Sequence, residues 1–165
     1  MIGQAVSALA LGSGHEVIGY SRRPAAQGPL LTKSLVATSA NPLPETKLDA
    51  LVHLAGESLL GLWTRTKLDR IWQSRVDLTK QIVAQLRSWQ PTNRPRVFLC
   101  ASGVGFYGDR GDEVLEENSS SGSGYLAGLC REWEAAAKQA AELGTRVVLM
   151  RTGVVLGQNG GAFPL

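Results

Sequence analysis

Four short apolar runs recur along the chain, each followed by loop residues and then by a stretch with helical spacing. They are Glu16-Val-Ile-Gly-Tyr20, Ala50-Leu-Val-His-Leu54, Val97-Phe-Leu-Cys-Ala101 and Arg146-Val-Val-Leu-Met150. Each is bounded by turn formers and lacks a clean polar–apolar alternation, the pattern of a parallel strand covered on both faces. Between them, Leu78, Ile82, Val83, Leu86 and Trp89 follow a period near 3.6, which predicts a helix over Arg75–Trp89 stopped by Pro91. A second, Ala-rich helix is predicted from Tyr125 to Leu143, with Gly144 as its C-terminal stop. A third opens the chain at Ile2 and ends at Gly12-Ser-Gly14. The stretch 24–47 is poorly patterned and predicts at most one short strand near Leu35–Ala37. Strand and helix in alternation predict an α/β domain with a doubly wound parallel sheet.

Composition changes this picture little. A chain of 165 residues with 44% hydrophobic and 19% charged residues has room for one domain with a real core. The net charge of +3 is scattered, so it predicts neither a nucleic-acid nor a membrane surface. No apolar run reaches the length of a membrane span, and there is no signal-peptide pattern. Cys100 lies in an apolar run, where a reduced, buried thiol is expected; together these place the chain in the cytoplasm or an organelle matrix. No metal-ligand spacing is present.

Six blocks then occur in a fixed order: Gly14-His-Glu-Val-Ile-Gly-Tyr-Ser-Arg-Arg23, Val52-His-Leu-Ala-Gly-Glu57, Ser74-Arg-Val-Asp-Leu-Thr79, Ala101-Ser-Gly-Val-Gly-Phe-Tyr-Gly-Asp109, Leu129-Cys-Arg-Glu-Trp-Glu134 and Arg151-Thr-Gly-Val-Val-Leu-Gly157. In this order they resemble the atypical short-chain dehydrogenase/reductases of the NAD-dependent epimerase/dehydratase-like (sugar-nucleotide-epimerase-like) group. The resemblance implies a Rossmann domain in which a strand ending in Gly-x-x-Gly-x-x-Gly comes before Gly3. It also implies a substrate-facing portion after Leu165. Residues 1–165 are therefore read as a partial NAD(P)-binding Rossmann domain, with Gly3 at the place of the last glycine of that turn.

Cofactor residues follow from position. After the second strand many dinucleotide folds carry an acid that holds the ribose 2′-hydroxyl; here the strand runs into Ser21, Arg22 and Arg23, donors suited to a 2′-phosphate. NADP(H) is thus expected over NAD(H). Leu54, Ala55 and Gly56 end the next strand, where small residues let a ribose approach, and Gly153 lies in the turn that the family brings to the nicotinamide end. Arg75 falls where extended members carry an Asn and is expected to reach the cofactor or steady the crevice loop.

The chemistry is less regular. Ordinary members use a Ser and a Tyr-x-x-x-Lys pair, the Lys lowering the Tyr pKa. Here Gly103 takes the usual Ser position with Ser102 beside it. With Tyr125 as the catalytic Tyr the Lys position holds Leu129; with Glu134 as anchor the pair becomes Leu126 and Cys130. Either way the Lys is absent. Ser102, Tyr107, Tyr125 and Glu57 remain as catalytic candidates, and Ser102 also as a cofactor contact. His53, inside a strand, reads as a hydrogen-bonded core histidine, Cys130 as an inert helix-face thiol, and the tryptophans as helix-packing residues. The reading is an NADP(H)-dependent oxidoreductase or epimerase-like protein acting on a nucleotide sugar or carbonyl compound. The alternatives are an NADP(H)-binding or sensing protein without turnover and a truncated, non-functional product.

Overall fold

The computed structural model describes residues 1–21, 31–37, 43, 46–157 and 160–161. Two compact units divide the chain, one of residues 1–46 with 154–165 and one of residues 47–153.

In the first unit α1 spans Ile2–Gly12 and is followed by β1 (Ile18–Ser21) and β2 (Lys33–Val36), which pair in parallel with Ile18 opposite Lys33. The short strand expected near Leu35–Ala37 is β2, which begins two residues earlier and ends one residue earlier. Gly3 lies in the first turn of α1, and Ser21 closes β1, its carbonyl accepting from the Ala37 N–H at 2.8 Å. Arg22 and Arg23 lie outside the described residues.

The second unit holds β3 (Ala50–His53), α2 (Arg65–Trp72), α3 (Leu78–Ser88), β4 (Val97–Gly103), α4 (Tyr125–Lys138) and β5 (Arg146–Thr152). Its three strands form a parallel sheet in the order β3-β4-β5, with β4 central. Phe98, Cys100 and Ser102 on one side of β4 are buried, while Val97, Leu99 and Ala101 between them are only half-buried. Ile71, Val76, Val83, Leu86, Leu129, Trp133 and Ala137 complete the core. The alternation along β4 departs from the two-sided burial its apolar run predicts. Gly144, with φ +80°, ends the helical stretch 125–143 in the left-handed region, where a side chain would be strained.

One helix is longer than its pattern predicts. The predicted helix begins at Arg75, with its first periodic residue at Leu78, but the helical path starts at Arg65, where the Thr64 side chain accepts from the Lys67 N–H. The first two turns are mostly polar and bury only Ile71, so they carry almost no periodic signal. Between α2 and α3 the path passes through a π-turn, Gln73–Asp77, without breaking. Such single turns hold an extra residue and recur at functional sites because they re-aim side chains. Among the described residues no helix is long and apolar enough to cross a membrane.

Candidate functional site

Parallel strands present their carboxyl ends to one edge of a sheet, the edge where α/β folds bind ligands. In the second unit that edge carries small residues. Exposed Ala55 and Gly56 follow Leu54 after β3, Gly103 ends β4, and Gly153 follows β5. Nothing lies within 4 Å of a Cβ built on Gly153, and only backbone at 3.8–3.9 Å meets one on Gly103. A flat ligand can therefore approach the main chain here, which fits a dinucleotide. At Gly56 the arrangement differs: a Cβ would fall 2.9 Å from Cζ of Arg75, so the missing side chain is the space in which that guanidinium lies.

Arg75 is in the π-turn and is half-buried. Its Nη1 donates to the Glu57 carbonyl at 2.9 Å, and its Cζ lies 5.4 Å from the Trp133 ring centroid. Ser74, its neighbour, accepts from the Glu57 N–H at 2.8 Å. The Glu57 carboxylate takes a salt bridge from Lys67 at 2.7 Å. The loop after β3 is thus tied to the helical path at three points of one residue. Burial lowers the Arg75 pKa from its usual value, and Cys130, Tyr125 and Glu57 act against that shift.

Ser102 and Tyr107 come together through two charged residues. The Ser102 hydroxyl donates to Oε1 of Glu134 at 2.7 Å. Arg151 grips the same carboxylate with Nε at 2.7 Å and Nη2 at 2.8 Å, and donates from Nη1 to the Tyr107 hydroxyl at 2.9 Å. Its Cζ lies 3.5 Å from the Phe106 ring centroid. Glu134 is 2% exposed. Burial alone would raise its carboxyl pKa, but the hydrogen bonds from Arg151 and Ser102 outweigh it and hold the group below the usual carboxylate range. The sequence reading assigned Glu134 and Arg151 no role. The available signal was position: Glu134 falls on the buried stripe of α4 with Cys130 and Ala137, where a carboxylate requires a buried partner.

Tyr125 stands apart from that cluster. Its hydroxyl donates to the Leu68 carbonyl at 2.8 Å, and Trp63 meets its ring edge-on at 5.8 Å. Burial pushes the phenol up and nearby Arg75 pulls it down, with a net rise. Trp63 sits in the loop before α2, 44% exposed, with its indole N–H donating to the Leu59 carbonyl at 2.8 Å and its ring against Tyr125 of α4. Trp63 and Tyr125 form part of the wall of a cavity of about 420 Å³ with Gly105, Gly108, Asp109 and Leu126.

His53 is 4% exposed, with Nε2 3.1 Å from the Thr79 hydroxyl. That hydroxyl gives its proton to the Arg75 carbonyl and also accepts from Trp133 Nε1 at 3.0 Å. Its oxygen must therefore accept from His53, which fixes the proton of the neutral ring on Nε2. Burial, and then the charge of Arg75, lower the ring's pKa from 6.5 to about 4. Between these values the unfolded chain binds the proton and the folded chain does not. The stability that His53 contributes is therefore fully present above pH 6.5 and is lost as pH drops towards 4. At about 1.4 kcal/mol per unit of pH the loss approaches about 3 kcal/mol. Urea melts from pH 7 to pH 4.5 are expected to show this decline in the native protein and a flatter profile in His53→Gln. Equal slopes would remove His53 as its source.

Cys130 is buried on α4, and burial, opposed by contacts with the Gly103 backbone and the Ser102 hydroxyl, raises its thiol pKa. A protonated thiol is a poor nucleophile. Cys130→Ser is expected to leave cofactor binding, and any turnover, within about threefold of the native protein; a loss of about a thousandfold with folding intact would assign the thiol a covalent role. Among the described residues no group of three or more His, Cys, Asp and Glu side chains could hold a metal ion.

The NAD dependent epimerase/dehydratase family model matches residues 1–164. An epimerase family protein of Mycobacterium tuberculosis is 35% identical over 162 residues, 98% of this chain and 52% of that protein. Among solved structures, the human epimerase family protein SDR39U1 (isoform 2) with NADPH is 32% identical with a TM-score of 0.81, covering 98% of this chain and 53% of that one. The nucleoside-diphosphate sugar epimerase from Corynebacterium glutamicum is 36% identical with a TM-score of 0.79, covering 99% of this chain and 34% of that one. The chain spans about half the length of the curated relatives it matches.

Proposed function

Because the chain belongs to the NAD dependent epimerase/dehydratase family, we propose that it holds NADP(H) and serves as an oxidoreductase or epimerase-like enzyme on a carbonyl compound or nucleotide sugar. The observation that carries the cofactor choice is the run Tyr20-Ser21-Arg22-Arg23, which has no acid after β1. The human relative's structure with NADPH supports it. In this reading Gly3 and Ser21, with Arg22 and Arg23, serve the adenosine end of the cofactor. Leu54, Ala55, Gly56 and Gly153 offer main chain to it, and Arg75 and Ser102 line the crevice.

Bound nicotinamide would supply a site for hydride gain or loss. The chain's own groups would then handle the proton. Tyr125, whose hydroxyl donates to the Leu68 carbonyl, would turn that O–H to the substrate as a donor, burial having raised its pKa away from the role of a base. The Ser102 hydroxyl donates a hydrogen bond to Glu134, which leaves its oxygen lone pairs to orient a donor on the substrate. Tyr107 accepts from Arg151 and keeps its own O–H to donate. Glu57, in a salt bridge with Lys67, holds the loop.

A specific observation favours a second reading, a cofactor-binding protein without turnover. Ser102, Tyr107 and Tyr125 all have hydrogen-bond partners within the protein. The two readings separate when bound NADPH is followed at 340 nm against a panel of aldehydes, ketones and nucleotide sugars. The enzyme reading expects consumption with at least one compound, and a loss of about a hundredfold or more in Tyr125→Phe. No consumption with any compound, at saturating NADPH, favours the second.

A further inference from the structure

The half-buried cations of the second unit have partners that account for them, with one exception. Lys67 faces Glu57 and Arg151 faces Glu134. Arg94 uses Nε and Nη2 on the last carbonyls of α3, Leu86 and Arg87. Arg75 makes all its hydrogen bonds through Nη1, to the Glu57 carbonyl and, at 3.4–3.5 Å, to Ser74 Oγ and the Ile71 carbonyl. Among the described residues Nε and Nη2 find no acceptor. Among the described residues no carboxylate forms a salt bridge with Arg75; Glu57 acts on it through its charge, with Oε1 bonded to Lys67.

The placement is nevertheless built. The π-turn sets the position of the residue, the Glu57 carbonyl fixes one nitrogen, and the Trp133 ring supports the plane. Gly56 leaves the space: a Cβ would fall 2.9 Å from Cζ and 3.0 Å from Nη2. Partly removing a guanidinium from water without an anion bonded to it is unfavourable, and an anion bound at Nε and Nη2 recovers the loss. From this geometry we infer that Arg75 is an oxyanion-binding residue, offering Nε and Nη2 as a fork to two oxygens of a phosphate or carboxylate on the ligand. The planar fork matches both groups, and a lysine would offer only a point charge. The inference rests on the proposed site at the strand ends but not on the identity of the cofactor. Two ligands carry this chemistry, the diphosphate of the dinucleotide and an acidic substrate.

The test follows the Nε–H resonance of Arg75 in the 15N-labelled full-length protein, identified by its disappearance in Arg75→Lys. Inorganic phosphate and NADPH are titrated separately, and UDP is added after NADPH has saturated. The expected result is a shift of this resonance by at least one probe. That probe's affinity should fall roughly tenfold or more in Arg75→Lys, which keeps the charge but loses the fork. Gly56→Ala should fold normally, since the methyl displaces only the far end of a flexible side chain, yet weaken the same probe by a similar factor. A response to NADPH alone assigns the oxyanion to the cofactor; a response only to UDP assigns it to an acidic substrate. A resonance that no probe moves, or native affinity in both variants, overturns the inference. Should NADPH fail to bind while phosphate or UDP moves the resonance, the cofactor reading fails and this one stands.

Discussion

Glu134→Leu is expected to lower the stability of the protein by about 3–5 kcal/mol, the cost of removing one partner from a buried ion pair. The leucine leaves Arg151, 16% exposed, without the carboxylate that binds both Nε and Nη2, and strips the Ser102 hydroxyl of its acceptor. The Phe106 ring and the Tyr107 hydroxyl remain against the guanidinium but do not neutralise it. Removing the second charge should help. In Glu134→Leu/Arg151→Met the buried cation is gone, and replacing a buried pair by apolar side chains is often close to neutral. Urea denaturation of the native protein, both single variants and the double variant measures the coupling. A double variant at least 1 kcal/mol more stable than Glu134→Leu is expected. A Glu134→Leu loss under 1 kcal/mol would mean that the network does not hold β5 and α4 together.

Arg22→Ala/Arg23→Ala is expected to weaken NADPH binding by about a hundredfold while leaving NADH within about threefold. A hydrogen bond from an arginine to a phosphate oxygen contributes roughly 1.5–3 kcal/mol, and each 1.4 kcal/mol is a factor of ten. An acid at this position would repel a 2′-phosphate, whereas Ser21, Arg22 and Arg23 all offer donors. Raising the salt concentration should narrow the difference between cofactors if the contacts are partly exposed. Equal losses for both cofactors would make these arginines ordinary surface charges.

Local pattern carried the framework of the fold. Val97–Ala101 and Arg146–Met150 are unbroken apolar runs bounded by turn residues, and they pair in parallel in the three-stranded sheet. Gly144 stops its helix as a left-handed glycine because a C-terminal stop is a property of one residue and its neighbours. The start of α2 at Arg65 was not legible, since its exposed turns have no apolar stripe to give a period. The π-turn at Gln73–Asp77 was hidden for a related reason: one extra residue shifts the phase of a helix without altering its composition. In the candidate site, Ser102 and Tyr107 were legible as residues at a strand end. Their partners Glu134 and Arg151 lie 32 and 49 residues from Ser102 in the chain, and only the packing of α4 on β4 and β5 brings them into contact. Arg75 was legible as a position in a block, but its unmatched fork appears only when the partners of Glu57 and Lys67 are known.

The central claim is that the protein is built for NADP(H), and competition between the two dinucleotides tests it most directly. Calorimetric titration of the full-length protein with NADPH, then with NADH at the same ionic strength, is expected to give at least tenfold tighter binding of NADPH. Equal affinities, or tighter binding of NADH, would contradict the claim.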